Sequence, residues 1–339
     1  MKYKYFLLFF VIFVFSFLVN TQKTVNAQFS QIPGLSFDVK FIPEIPGPNE
    51  DVYLEVISYE TDINKAKITW LVNGSIKSSG TGNKTFTFNS GNQNTKTTIS
   101  LRIITAEGVS ASRDFNIRPS SVDIIWQART YTPPFYKGKA LFSHESIITF
   151  LALPHITDQN GNLLSPSNLI YTWNKNGKVL NNFSGYGKNT YSMEGSIISV
   201  PLEMTVTVTS PTTDAVGFAR TIVYPVDPLV LMYEKDPLYG LRLEKSLSGI
   251  ISLKNKEEME VVALPIFFGD ESLSSNSILY DWKINNSNID TKTLERSKVF
   301  RPIEGTSGTS YISLSAENAN KILQTASTGF NLEFNKETN

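Results

Sequence analysis

The sequence predicts an all-β protein of three tandem antiparallel β-sandwiches, and three observations carry that prediction. A tryptophan in a short strand pattern recurs at Trp70, Trp173 and Trp282, 103 and 109 residues apart, each time running into Asn-Gly or Asn-Asn. Each is followed by strict apolar/polar alternation, the two-residue period of a strand with one buried and one wet face. Outside an N-terminal apolar stretch no segment has a helical period. The best candidate, residues 316–324, aligns with a hairpin turn in the other two repeats and predicts at most one helical turn.

The elements follow in order. Lys2 and Lys4 precede an apolar run from Phe6 to Val19, broken only by Ser16, and a polar tail leads to Val25-Asn26-Ala27. This layout predicts a secretory signal peptide over residues 1–27. A spanning helix needs about 20 apolar residues, so an uncleaved anchor is the strained alternative. The chain has 31 basic and 31 acidic residues. Loss of residues 1–27 removes three lysines, leaving 28 against 31 and a slightly acidic mature chain. The remaining 312 residues give about 104 per repeat.

In the first repeat Val52–Ile57 forms a strand pattern before the anchor Ile68-Thr69-Trp70-Leu71-Val72-Asn73-Gly74. Alternation at Ile99, Leu101 and Ile103 and a closing strand, Ser112–Ile117, follow it. In the second, Phe150–Pro154 precedes Tyr171-Thr172-Trp173-Asn174-Lys175-Asn176-Gly177, with Met204, Val206 and Val208 alternating and Phe218–Val223 closing. In the third, Val261–Pro265 precedes Tyr280-Asp281-Trp282-Lys283-Ile284-Asn285-Asn286, with Ile312 and Leu314 alternating and Ser327–Leu332 closing. Asparagine and glycine accept the positive φ of a two-residue hairpin turn. Prolines at Pro119, Pro225 and Pro228 place boundaries at 28–119, 120–226 and 227–339, and short proline-stiffened linkers predict an extended rod.

The central tryptophan followed by an asparagine turn resembles the third strand of immunoglobulin-like and PKD-like domains, over essentially the whole mature chain. The resemblance implies the sandwich fold and a surface location, and no functional residues. Two departures stand out: cysteine is absent, so the usual inter-sheet bridge is missing, and the PKD turn Gly-Asp-Gly is replaced by Asn-Gly. Trp70, Trp173 and Trp282 are therefore the expected structural core, each in the place of a disulfide.

Zero cysteines exclude a disulfide framework and thiolate chemistry. Balanced charge lacks the footprint of a nucleic-acid binder. His144 and His155 are the only histidines and stand eleven residues apart, too few and too far apart for a zinc site. No Gly-x-Ser-x-Gly elbow is present. No catalytic, metal or cofactor-binding residue is predicted.

Four features invite a site reading. The loop Ser79-Gly80-Thr81-Gly82-Asn83-Lys84-Thr85-Phe86 matches Ser184-Gly185-Tyr186-Gly187-Lys188-Asn189-Thr190-Tyr191, while the third repeat has Thr291–Arg296 there. A phosphate loop would need a following helix, so a structural turn is the reading. Asp158-Gln159-Asn160-Gly161-Asn162 resembles the start of a calcium loop but departs from its glycine and glutamate positions. Sequons stand at Asn73, Asn83, Asn182 and Asn285. Finally, Tyr131-Thr132-Pro133-Pro134-Phe135-Tyr136-Lys137-Gly138, with a weaker counterpart in Asp236-Pro237-Leu238-Tyr239-Gly240, gathers aromatics and proline in an expected exposed stretch. Either it is an edge strand that resists pairing, or Tyr131, Phe135 and Tyr136, together with Tyr186, form a binding surface.

The expected function is an exported, non-enzymatic surface or secreted protein acting as adhesive, spacer or assembly module. Its expected partner is an extracellular protein or glycan, with no nucleic acid, and a membrane only through an uncleaved N-terminal segment. The alternatives are a carbohydrate-binding module, betrayed by an exposed aromatic platform, and an assembly factor that pairs through an open strand edge.

Overall fold

A computed structural model describes residues 36–198, 200–253, 256–289 and 293–334, so the predicted signal peptide lies outside the described residues. The chain is all-β, and each repeat is an immunoglobulin-like sandwich with one strand order. In the first repeat the strands are β1 (Asp38–Ile42), β2 (Asp51–Ile57), β3 (Lys67–Val72), β4 (Ser75–Thr81), β5 (Thr85–Asn89), β6 (Thr97–Ile104) and β7 (Ser110–Arg129). The second adds β8 (Ile147–His155), β9 (Ile170–Lys175), β10 (Lys178–Val179), β11 (Gly185–Tyr186), β12 (Thr190–Glu194), β13 (Leu202–Thr209) and β14 (Ala215–Val223). The third holds β15 (Leu229–Asp236), β16 (Gly240–Leu241), β17 (Ile250–Ser252), β18 (Met259–Ile266), β19 (Ile278–Ile284), β20 (Ser287–Asn288), β21 (Ser297–Phe300), β22 (Gly308–Asn318) and β23 (Thr325–Phe334).

One sheet of each repeat runs β1-β2-β5, β7-β8-β12 or β15-β18-β21, and the other β4-β3-β6-β7, β10-β9-β13-β14 or β20-β19-β22-β23. Pro119 does not end a strand. It lies inside β7, which pairs in parallel with β14 at Arg118–Ser121 and then antiparallel with β8 from Ser121 to Arg129.

The predicted turns form as the sequence dictates. Asn73 and Gly74 (φ 48° and 80°), Asn176 and Gly177 (49° and 78°), and Asn285 and Asn286 (49° and 65°) all take the left-handed conformation of a primed hairpin turn. Residues 316–324 finish β22 and turn into β23. A helix of five residues, Asp270–Ser274, joins β18 to β19, and it is too short for its period to register in the sequence.

By contact the described residues divide into two compact units, one of Leu54–Phe86 and Ile99–Asp114 with residues 36–40, the other of Phe41–Tyr53, Thr87–Thr98 and the described residues from Phe115 onward. In the first unit Trp70 is fully buried; its indole N–H donates to the Asn83 carbonyl at 3.1 Å and its ring stacks on Phe86 at 5.5 Å. In the second unit Trp173 and Trp282 repeat the device. Trp173 donates to the Lys188 carbonyl at 2.9 Å beside Tyr191, and Trp282 to the Glu295 carbonyl at 3.3 Å beside Phe300. Burying so large an aromatic contributes on the order of 3 kcal/mol, and the hydrogen bond removes the cost of hiding its polar N–H.

The glycine loops serve that bond. Gly82 and Gly187 have φ of 71° and 70°, and a Cβ at either would meet the Asn64 or Ser167 carbonyl oxygen at 2.8 or 3.2 Å. Each thus lets the chain pass close under a neighbouring loop and aim the next carbonyl at the indole. The phosphate-like appearance of the motif has this structural cause.

Candidate functional site at the junction of the second and third repeats

The described residues from Phe115 onward all belong to one unit, and the sharpest concentration of chemistry within it lies where the second repeat meets the third. The expected exposed stretch is a strap whose three aromatic residues are half-buried against the third repeat, while Pro134, Lys137 and Gly138 stay exposed. Tyr131 exchanges backbone bonds with the third repeat: its N–H donates to the Phe268 carbonyl at 2.7 Å and its carbonyl accepts from Phe267 N–H at 2.8 Å. Phe135 meets Tyr233 edge-on at 5.7 Å, and Tyr136 meets Phe267 likewise at 5.7 Å. Proline gives the reason, since the Pro133-Pro134 pair holds the strap extended and keeps both rings on a fixed course.

The strap is also fastened backwards. Thr130 Oγ1 donates to the Leu141 carbonyl at 2.7 Å, closing its neck, and the Lys139 ammonium sits 3.2 Å from the Trp126 ring centroid. Trp126, the one tryptophan outside the repeat scheme, thereby acquires a role as a cation–π partner. Burial pushes the Lys139 ammonium below the usual lysine range.

The surface receiving the strap is the outer face of β15 and β18. Both faces of β18 are buried. Val261 and Ala263 point into the main core of the third repeat, while Val262 and Leu264 join Tyr233 in a small separate cluster capped by Phe135.

Beside the rings lies a buried polar knot. The fully buried Gln324 accepts at Oε1 from Gly269 N–H (3.1 Å) and Asn318 Nδ2 (2.9 Å), and donates from Nε2 to the His144 carbonyl at 2.9 Å. Glu145, at φ 57°, accepts from Leu323 N–H at 2.7 Å through its carboxylate. A left-handed backbone at such a residue costs on the order of 1 kcal/mol, which the charge-assisted bond offsets. Lys321 pairs with Glu194 and lies 3.9 Å from Glu271, and its hydrogen bond to Glu194 raises its pKa. His144 Nε2 is 3.5 Å from Asp227 Oδ1.

The two histidines thus stand at opposite ends of the second repeat. His155 pairs with Asp123 at 3.4 Å, and its carbonyl accepts from Gln93 Nε2 and Asn94 Nδ2. Asn94, at φ 61°, also donates its N–H to Pro119 and accepts from Ser120 Oγ, while Arg118 reaches the Asn94 and Asp158 carbonyls. The Asp158 loop spends its carboxylate on itself: it accepts from Asn160 N–H and Asn162 N–H, and the Asn162 bonds chiefly hold its pKa down.

Tyr186 is 61% exposed on β11, opposite Ile170 of β9, and Phe183 beside that loop is also exposed. The outermost strand β4 contains no proline but carries Lys77, and its pairing with β3 is broken by a bulge at Trp70/Leu71. Both features discourage edge pairing. Sequence reasoning missed Glu145, Gln324 and Lys321 because their partners lie as far as 180 residues away in the chain.

No protein family matches the sequence, and no curated protein matches it. Solved structures are similar in fold. The three N-terminal domains of the bacteriophage RB49 Highly Immunogenic Outer Capsid protein are 11% identical, at 89% of this chain and 99% of that one, with a TM-score of 0.26. The central fibronectin-III array of RIM-binding protein is 10% identical over 89% and 94%, TM-score 0.28. A glucan utilization locus protein from Bacteroides ovatus, SGBP-B, in complex with a mixed-linkage heptasaccharide, is 10% identical over 90% and 73%, TM-score 0.22.

Proposed function

We propose that the chain is an exported, non-enzymatic surface or secreted protein that acts as a spacer or assembly module outside the cell. The observation that carries this reading is the junction: a segment that gathers aromatics and proline, which a binding surface would leave open, is spent on joining the second repeat to the third through Phe135, Tyr136 and main-chain bonds. Coupling of adjacent sandwiches suits a module whose work is to hold other things at a distance. The three tryptophan anchors suit a setting in which no disulfide is used.

Fractionating producing cells and sequencing the N-terminus of the recovered chain tests the export half. A chain beginning at Gln28 in the medium or surface fraction is expected, and a chain retaining Met1 in the cytosol would overturn it. A second reading, glycan binding, has the exposed ring of Tyr186 in its favour, because rigid aromatic faces contribute contact area at small entropic cost. Screening the protein and its Tyr186→Ala variant against a panel of glycans decides it: binding lost in the variant supports that reading, and binding by neither removes it.

A further inference from the structure

The interface that joins the second repeat to the third is made of two halves, and the chain carries a second, unmatched example of each. The receiving half in the third repeat is the outer face of β15 and β18, where Tyr233 stands opposite Val262 and Leu231 opposite Leu264. In the second repeat the corresponding run, Phe150–Pro154, places Ile125 opposite Leu151 and Asp123 opposite Leu153. Tyr233 and Leu264 are 5% and 4% exposed, but Ile125 and Leu153 are 50% and 38% exposed. An apolar face is thus built in both repeats, with Asp123 in the second at the place of Leu231, and it is covered in only one of them.

The inserting half in the second repeat is Pro134-Phe135-Tyr136-Lys137-Gly138, in the connection after its first strand. The third repeat has Pro237-Leu238-Tyr239-Gly240 at the same place, after β15, and there Leu238 and Tyr239 are 80% and 78% exposed. That tip is preorganised. The Asp236 carboxylate accepts from Leu238 N–H at 2.9 Å and Tyr239 N–H at 3.1 Å, and Arg242 lies 3.6 Å from the same carboxylate. Two large apolar side chains are therefore held at the surface by a fixed turn, and such a turn loses little entropy on docking.

We propose that a second copy of this chain inserts its Leu238–Tyr239 tip on the Ile125, Leu151 and Leu153 face, repeating between molecules the contact that Phe135 makes within one. The occupant is a copy of the chain because the chain itself supplies both halves and shows how they fit. The Asp123–His155 pair at the edge of the receiving face gives it a polar rim. Inserting and receiving surfaces differ, so the contact is heterologous, and it builds a ring where the rotation closes and an open chain where it does not. Within one molecule the strap is tethered and works at an effective concentration on the order of millimolar. Between molecules the small interface makes association weak and concentration-dependent. The inference deepens the assembly reading and rests on it for its biological setting, but the test uses purified protein, so its failure leaves export untouched.

Sedimentation velocity of the mature chain, residues 28–339, over a concentration series reads the association. The weight-average mass should rise by roughly twofold or more with concentration. Leu238→Ser/Tyr239→Ser, at exposed positions, should hold the mass at the monomer, as should Ile125→Thr/Leu153→Thr. Mixing the two variants should restore one-to-one pairs and nothing larger, because each retains one working half. A wild-type chain that stays monomeric throughout overturns the proposal. So does association that survives the tip substitution, which would place the contact on another surface. If the face variant proves unstable, the tip variant alone decides.

Discussion

The second and third repeats solve one problem with different loops. In both, a buried tryptophan needs an acceptor for its indole N–H and an aromatic neighbour for its ring. The second uses a glycine loop to bring the Lys188 carbonyl to 2.9 Å, and the third brings the Glu295 carbonyl to 3.3 Å without one. What the two share is a carbonyl 13 or 15 residues after the tryptophan and an aromatic shortly beyond it. The glycines are one route to that arrangement, and the arrangement itself is the requirement.

The largest effect should come from removing the anchor. Trp173→Ala should cost about 3–5 kcal/mol and unfold the second repeat, with Trp282→Ala of the same size in the third. Chemical denaturation followed by tyrosine fluorescence measures both, and an unchanged midpoint for either would break the equivalence.

A smaller effect should separate the loops. Gly187→Ala puts a side chain at positive φ against the Ser167 carbonyl and should cost about 1–2 kcal/mol. In the third repeat the anchor uses the main-chain carbonyl of Glu295, whose carboxylate makes only an exposed pair with Lys298 at 3.1 Å, so Glu295→Ala should cost less than about 1 kcal/mol. Equal losses would show that the two loops work alike.

The smallest effect is a shared pH response. Tyr171 and Tyr280 each stand two residues before their tryptophan, and burial pushes both phenols up to about 12. An unfolded tyrosine ionises near 10, so the folded state holds these protons longer. Their contribution to stability is complete below pH 10 and is lost as pH rises towards 12. The first repeat has Ile68 at that position. Thermal melts from pH 9 to 12 should show the second and third repeats losing stability, and Tyr171→Phe should weaken the response of the second alone, leaving the part due to Tyr191, whose phenol burial also pushes up.

Much of this fold is legible in the sequence because its signals are local. The Asn-Gly turns, the alternation of β6, β13 and β22, and the spacing of Trp70, Trp173 and Trp282 each depend on neighbours within a few residues. The repetition of each signal three times separates it from chance. Strand β7 is not legible in the same way, since Pro119 reads as a stop and only its pairing with Val216 of β14 shows that the strand continues.

The junction is the least legible part. The composition of Tyr131, Phe135 and Tyr136 reveals stickiness but not what it sticks to, and these residues are half-buried because they meet Tyr233 and Phe267, about a hundred residues or more downstream. Leu264 offers a faint signal. A strand whose residues are apolar at both parities, as in Val261–Pro265, has something on both faces, and the run Phe150–Pro154 carries the same message in the second repeat.

The indole-to-carbonyl anchors have one more consequence, which concerns redox history. A sandwich pinned by a disulfide must meet an oxidant to be completed, and a reductant can undo it. Here nothing covalent is formed or lost between the unfolded chain and the folded one. The protein should therefore reach the same state in anaerobic and aerated surroundings, tolerate thiols without loosening, and regain its structure after being unthreaded with no mispaired forms to sort out.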